Sequence, residues 1–164
     1  MGSGKTTLGR RVAGAHEWDF IDLDAQLEAA RGCSVRDLVQ REGEPSFRAL
    51  ELEVLQDVLG AHPSDCVIAT GGGIVETEAA RRVLAELGCV VWLRADPDAC
   101  VARLGADRAL RPFLDDESLW RARYTRREPW YRQLAVHVVE THPADVESSL
   151  AALLRCLDRA GPPA

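Results

Sequence analysis

The chain has 164 residues, enough for one domain with its own core, and its 46% hydrophobic and 28% charged residues are typical of a globular protein. Its net charge of −6 argues against general affinity for nucleic acid, and no apolar run is long enough to cross a membrane. Because the N-terminus has no signal-peptide pattern, we expect a cytoplasmic protein whose five scattered cysteines are reduced.

The hydrophobic pattern alternates amphipathic helices with short apolar strands, which is typical of an α/β protein with a parallel sheet. In chain order we predict helices at 6–15, 24–30, 35–42, 46–59, 78–87, 96–104, 118–127 and 145–159. The predicted strands are 18–22, 65–70, 89–93 and 135–141. No repeat or long linker interrupts this alternation, so we expect a single domain over residues 1–164.

The N-terminal sequence MGSGKTTLGRR contains the second half of the nucleotide-binding loop GxxxxGK[ST]. Glycines let backbone N–H groups face the phosphates, and the helix that follows directs its positive end at them. Lys5, the only lysine among 20 basic residues, would bridge the outer phosphates of ATP, and the Thr6 hydroxyl would ligate Mg²⁺. The expected ATP-binding residues of this loop are Gly2, Ser3, Gly4, Lys5, Thr6 and Thr7.

The first glycine of this loop, and the apolar strand that should lead into it, would precede Met1. In doubly wound nucleotide-binding sheets that strand runs through the middle. We therefore expect a five-stranded parallel sheet whose first, central strand is missing from this chain. A start codon placed at an internal methionine is our preferred explanation.

Five further segments resemble the shikimate kinase family, and the resemblance covers almost the whole chain. FIDLD (20–24) is similar to the family's FxDxD, and GCSVRDLVQREGEPSFRALE (32–51) matches GxSxxxxxxxxGExxFRxxE at every fixed position. The other segments are ATGGGIV (69–75), LRPFL (110–114) and REPWY (127–131). The second of the five is the most specific, because seven fixed positions agree.

The resemblance implies a three-layer P-loop NTPase fold of the nucleoside-monophosphate-kinase type, with helices on both faces of the parallel sheet. Within the single domain it implies a substrate-binding helical segment at about 24–59 and a lid at about 104–117.

On the substrate side, the resemblance implies that Asp24 binds the hydroxyls of shikimate. Arg48 and Arg127 would grip the carboxylate, since a planar guanidinium matches a planar carboxylate, and Glu51 would orient Arg48. The glycine triplet would approach the substrate through its backbone; it consists of Gly71, Gly72 and Gly73.

On the nucleotide side, the resemblance implies that Asp22 helps to hold Mg²⁺ and that Arg111, in the lid, reaches the transferred phosphoryl group. Arg103 and the loop near Pro143 would border the adenine. The expected catalytic residues are Lys5, Asp24 and Arg111.

The resemblance implies transfer of the γ-phosphate of ATP to the 3-hydroxyl of shikimate, a step towards chorismate and the aromatic amino acids. From the family alone we also expect a monomer. One alternative is another P-loop kinase, for gluconate or a nucleotide, which would lack the combination of Asp24, Arg48 and Arg127. Another is a kinase-like binding domain without turnover, favoured only by the incomplete loop. Taken alone, Arg123, Arg126 and Arg127 would be typical of a solvated helix face.

Overall fold

The computed structural model describes residues 2–62, 64–104 and 117–160. Helices alternate with four short strands: β1 (Asp19–Asp22), β2 (Cys66–Ala69), β3 (Val91–Arg94) and β4 (His137–Glu140). The helices are α1 (Lys5–His16), α2 (Leu23–Arg31), α3 (Val35–Ala61), α4 (Glu78–Ala85), α5 (Pro97–Leu104), α6 (Glu117–Leu134) and α7 (Val146–Ala160), and a 3-10 turn covers Ile74–Glu76. None of the helices in the described ranges is long and apolar enough to cross a membrane.

All the strand pairs are parallel, as the α/β pattern predicts. β1 pairs with β2 in the register Asp19 to Cys66, and β3 pairs with β4 in the register Val91 to His137. In the described part of the chain, β2 and β3 do not pair with each other. A largely apolar cavity of about 630 Å³ is lined by residues of both strands, among them Val67 and Leu93. The cavity separates the two pairs of strands.

Two separate cores show that helices cover both faces of the strands. One core joins β1 to α3 and α4 through side chains such as Ile21, Leu55 and Leu84, of which Leu55 is fully buried. The other joins α1, β4 and α7 through Leu8, Val12, Val139 and Leu153. Each fully buried aliphatic side chain contributes roughly 1.5–3 kcal/mol of transfer free energy. The two cores therefore stabilise the ends of the strands, which carry the candidate site.

The helix boundaries agree with the sequence at one break and differ from it at another. α3 has a non-helical residue at Gly43, with φ +81°, where the sequence predicts an interruption between two helices. The sequence predicts that the helix beginning near residue 118 ends at Arg127. This prediction is wrong, because α6 continues through Pro129 to Leu134. Trp130, Tyr131 and Leu134 pack against the core around Leu55. This packing offsets the hydrogen bond that the proline cannot donate.

The predicted lid, 104–117, lies outside the described residues except for its two ends. Arg111 therefore belongs to a part of the chain that the structure does not describe.

Candidate active site

The phosphate-binding loop is the short segment that ends where α1 begins. Gly2 and Gly4 have φ of +72° and +90°, and Gly4 is the N-cap of the helix. A Cβ at Gly2 would also overlap the backbone of Cys100. Both positions therefore favour glycine, and the start of α1 presents backbone N–H groups of the kind that bind anions.

Residues from two separate motifs meet beside this loop. Thr6 Oγ1 donates a hydrogen bond to Asp22 Oδ2 at 3.0 Å, and the other carboxylate oxygen of Asp22 accepts one from the backbone N–H of Asp24 at 3.2 Å. Asp22 is thus the N-cap of α2 as well as the last residue of β1. The capping interaction fixes the direction of the Asp22 carboxylate and brings Asp24 to the same end of the strand.

The chemistry of Thr6 and Asp22 fits magnesium. Mg²⁺ prefers oxygen ligands and is usually held by one or two protein groups together with phosphate oxygens and water. The described ranges contain no group of three or more acidic, histidine or cysteine side chains that could hold a metal ion by themselves. A hydroxyl and a carboxylate at the phosphate loop are consistent with an ion that arrives with its nucleotide.

Arg48 is a buried cation surrounded by carboxylates. It is 7% exposed, and its Nη1 lies 2.5 Å from Glu51, while its Nη2 lies 2.9 Å from Glu44 and 3.3 Å from Glu76. Burial, the largest single cause, lowers the pKa of Arg48, but the charges of Glu51 and Glu76 and the hydrogen bonds to Glu51 and Glu44 together outweigh it, and the net shift is upward. Glu51 is 3% exposed, and its pKa is raised, chiefly by burial and also by the charge of Asp24, although Arg48 acts to lower it.

The Nε of Arg48 has no hydrogen-bond partner within the described ranges. An unpaired buried donor costs free energy, so this atom is a ready site for an acceptor such as a substrate carboxylate.

The glycine triplet makes room for this ion pair. A Cβ at Gly73 would overlap the Arg48 guanidinium, and one at Gly71 would lie 2.5 Å from Glu51 Oε1 and 3.4 Å from Asp24 Oδ1. The sequence predicts that these glycines let the substrate approach the backbone. The structure adds that Gly71 and Gly73 leave space for the side chains of Glu51 and Arg48.

Two arginines of α6, Arg123 and Arg127, do not lie on the solvated face that their sequence alone would indicate, whereas Arg126 is exposed. Arg123 contacts both carboxylate oxygens of Glu44, with Nη1 at 3.0 Å from Oε1, and Arg127 Nε donates to Glu76 Oε1 at 3.0 Å. Their side chains are 23% and 12% exposed, whereas Arg126, which also pairs with Glu76, is 57% exposed. We call Arg48, Arg123, Arg126 and Arg127 the arginine cluster.

The carboxylates of the cluster, Glu44 and Glu76, received no role from the sequence. Glu44 belongs to a recognisable motif and could have been considered, but Glu76 stands in no motif. Burial would raise the pKa of Glu76, yet the hydrogen bonds from Arg127 and Arg126, with the charges of Arg127 and Arg48, lower it to about 2. Glu76 is therefore ionised at neutral pH.

Arg103 connects the phosphate loop to the predicted adenine border. Its Nη1 donates to the carbonyl oxygen of Gly2 at 3.3 Å, and its Nη2 donates to that of Thr141. Thr141 opens the loop that contains Pro143, which follows a cis peptide bond. The structure thus places Arg103 between the two segments that the sequence assigns to the nucleotide.

Comparisons with known proteins agree with this geometry. The family model for shikimate kinase matches residues 1–158. The shikimate kinase of Synechococcus sp. (strain CC9605) is 38% identical over 96% of this chain and 80% of its own length, and that of Bordetella avium is 40% identical over 94% and 74%. The solved structure of shikimate kinase from Acinetobacter baumannii in complex with shikimate has a TM-score of 0.90 at 30% identity, with 98% of this chain and 90% of that chain covered.

A second solved structure, shikimate kinase from Bacteroides thetaiotaomicron, has a TM-score of 0.83 at 32% identity and covers 96% of this chain and 94% of that chain. The family match decides against the gluconate and nucleotide kinases and against a binding domain without turnover. The chain belongs to the shikimate kinase family of ATP-dependent enzymes.

Proposed function

We propose that the chain transfers the γ-phosphate of ATP to the 3-hydroxyl of shikimate, using the phosphate loop for ATP and two members of the arginine cluster, Arg48 and Arg127, for the shikimate carboxylate. The observation that carries the proposal is the position of Asp24. It lies between the two regions, because its backbone hydrogen-bonds Asp22 at the phosphate loop and its carboxylate faces Gly71 beside Glu51.

On the nucleotide side, the backbone of Gly2, Ser3 and Gly4 and the side chain of Lys5 bind the phosphates, and Thr6 and Thr7 extend this contact into α1. Thr6 and Asp22 would hold Mg²⁺, which offsets the charge of the phosphates when it is bound. Arg103 and the loop at Pro143 border the base, and Arg111 reaches the transferred group from the lid.

On the acceptor side, Arg48 and Arg127 bind the carboxylate of shikimate, and the glycine triplet lets its ring approach. Asp24 accepts a hydrogen bond from the 3-hydroxyl and directs its oxygen at the γ-phosphorus. The oxygen of the 3-hydroxyl forms the new bond to phosphorus, the bond between the γ-phosphorus and the bridging oxygen breaks and ADP leaves, while the hydroxyl proton passes to the Asp24 carboxylate. Position and charge do most of this work, because phosphoryl transfer needs little covalent chemistry from the protein.

The test is the rate of ADP formation with and without shikimate, measured for the unsubstituted chain and for the variant Arg48→Lys. The lysine keeps the charge but loses the planar fork, so we expect the KM for shikimate to rise at least about 10-fold with little change in the KM for ATP. Arg132→Lys is the control, because Arg132 is 58% exposed and forms its ion pair along α6, with Glu128. A folded chain that binds ATP but forms no ADP in response to shikimate would refute the proposal.

The monomeric state and the cytoplasmic location stay predictions from the sequence. Size-exclusion chromatography with light scattering tests the first and cell fractionation the second.

A further inference from the structure

Glu76 is a partly buried carboxylate that lies between Arg48 and Arg127, the two arginines proposed to bind the substrate, although no sequence motif includes it. It is the last residue of the 3-10 turn that follows the glycine triplet, and its backbone N–H donates to the carbonyl oxygen of Gly73 at 2.9 Å. Ile74 and Val75, the two residues before it, are 3% and 4% exposed. The turn is therefore anchored in the core, and its backbone sets the position of the carboxylate.

The Glu76 carboxylate joins two helices that are distant in sequence. Its Oε2 lies 3.3 Å from Arg48 Nη2, on α3, and its Oε1 accepts from Arg127 Nε at 3.0 Å, on α6. The side chains of Glu76, Arg48 and Arg127 are 11%, 8% and 12% exposed, so water screens these contacts weakly. Arg126 adds a fourth charge from the solvent side.

This arrangement addresses a problem of like charge. Two guanidinium groups that must grip one carboxylate repel each other when that carboxylate is absent, and the repulsion is strong where solvent is excluded. The other carboxylates near Arg48 are Glu44 and Glu51, which lie on α3 itself. Among the described ion pairs, Glu76 is the carboxylate that contacts both Arg48 and Arg127.

We propose that Glu76 is a positioning residue, which holds Arg48 and Arg127 at the spacing that binds the substrate carboxylate and does not itself contact the reacting atoms. The inference rests on the proposed role of these two arginines. Glu76 would then increase the affinity for the substrate indirectly, through Arg48 and Arg127. The effect should be specific for acceptors that carry a carboxylate.

The test is steady-state kinetics of Glu76→Gln, which keeps the shape and removes the charge, beside Glu76→Ala. We expect both variants to raise the KM for shikimate about 10-fold or more, with kcat and the KM for ATP changed by less than about 3-fold. Glu78→Gln is the matched control, because Glu78 is 67% exposed and pairs with Arg82 along α4. Thermal unfolding of each variant verifies that it is folded.

A second readout separates positioning from a general loss of structure. With the methyl ester of shikimate, which has no carboxylate charge, Glu76→Gln and the unsubstituted chain should have the same kcat/KM within about 2-fold. An equal loss with both substrates would overturn the proposal, as would an unchanged KM for shikimate. A lower KM in Glu76→Gln would also overturn it, because it would mean that Glu76 competes with the substrate for the arginines.

If Glu76→Ala unfolds, Arg126→Gln provides a milder change. It removes the exposed partner of Glu76 and leaves the two buried ones, and we expect the KM for shikimate to change by less than about 3-fold. A larger rise would assign the affinity to Arg126 and contradict the proposal. Failure of the proposed function would be seen separately, as absence of shikimate-dependent turnover in the unsubstituted chain.

Discussion

The phosphate loop and the arginine cluster, which contains Arg48 and Arg127, are proposed anion sites of two different kinds. The phosphate loop uses backbone N–H groups at the start of one helix, and its hydrogen bond between Thr6 and Asp22 is exposed. The arginine cluster consists of side-chain ion pairs from α3, α6 and the 3-10 turn, of which the pair of Arg48 with Glu51 is buried and the pairs with Glu76 are partly buried. A backbone site costs little to maintain, whereas a buried ion pair is costly to break because the remaining charge loses its partner. Changes in the cluster should therefore alter stability and activity together, and changes at the loop should alter mainly activity.

The largest effect should come from Arg48→Met, which leaves the carboxylate of Glu51 buried without its cation. We expect the free energy of unfolding to fall by about 3–5 kcal/mol, as is usual when one partner of a buried pair is removed. Urea unfolding at neutral pH measures it. Arg82→Gln is the control, since its pair with Glu78 is exposed and surface pairs contribute about 0–1 kcal/mol. A loss below about 1 kcal/mol in Arg48→Met would show that the cluster is not held by this pair.

The second-largest effect should be a loss of stability at low pH, which follows from protonation of Glu76. The pKa of Glu76 is about 2 in the folded chain and 4.5 as its ordinary value, so its contribution is present above pH 4.5 and is lost as the pH falls towards 2. The titratable groups that face Glu76 are Arg48 on α3 and Arg126, Arg127 and Tyr131 on α6. At one pKa unit per 1.36 kcal/mol the loss is at most about 3 kcal/mol.

Urea unfolding at pH 7 and at about pH 3 should show this loss in the unsubstituted chain and a smaller one in Glu76→Gln. The same pH dependence in both proteins would contradict the shifted pKa of Glu76.

An intermediate effect should come from Gly73→Ala, because the new methyl group overlaps the Arg48 guanidinium. Overpacking of this kind typically costs about 1–3 kcal/mol, and displacement of Arg48 should also raise the KM for shikimate. Gly60→Ala is the control, since a Cβ there has no atom within 4 Å and alanine favours the helix by up to about 1 kcal/mol. Equal stability of the two variants would mean that Arg48 moves aside without cost.

The smallest effect on stability should come from Thr6→Val, a change confined to the phosphate loop. Loss of one exposed hydrogen bond should change the free energy of unfolding by less than about 1 kcal/mol. Loss of a Mg²⁺ ligand should nevertheless lower kcat at least about 10-fold. Urea unfolding and turnover at several Mg²⁺ concentrations measure the two quantities. A large loss of stability in Thr6→Val without loss of turnover would contradict this expectation, because it would mean that the phosphate loop contributes to stability and not to activity.

Much of the fold and of the site could be predicted because the information is local. The loop residues Gly4, Lys5 and Thr6 are neighbours in sequence, and Asp22 and Asp24 lie on one strand end. Arg48 and Glu51 are one turn apart on a helix, where side chains three positions apart meet. The order of helices and strands follows from the hydrophobic period, and the structure confirms it with shifts of a few residues, apart from the longer α6.

The remaining features depend on packing between segments that are distant in sequence. α6 runs past Pro129 because Trp130 and Tyr131 reach the core around Leu55, and no local pattern contains that contact. Glu76 pairs with arginines 28 and 51 positions away, as the residue numbers show.

The sequence by itself therefore determined the family, the order of the elements and most of the residues of the site, since motif spacing and hydrophobic period are properties of neighbouring residues. Only the tertiary structure decided which charges are buried and paired. It showed that Gly71 and Gly73 leave space for Glu51 and Arg48, and that Glu76 stands between Arg48 and Arg127. The physical reason is that the energy of a charge depends on its surroundings, and those surroundings exist only after the chain has folded.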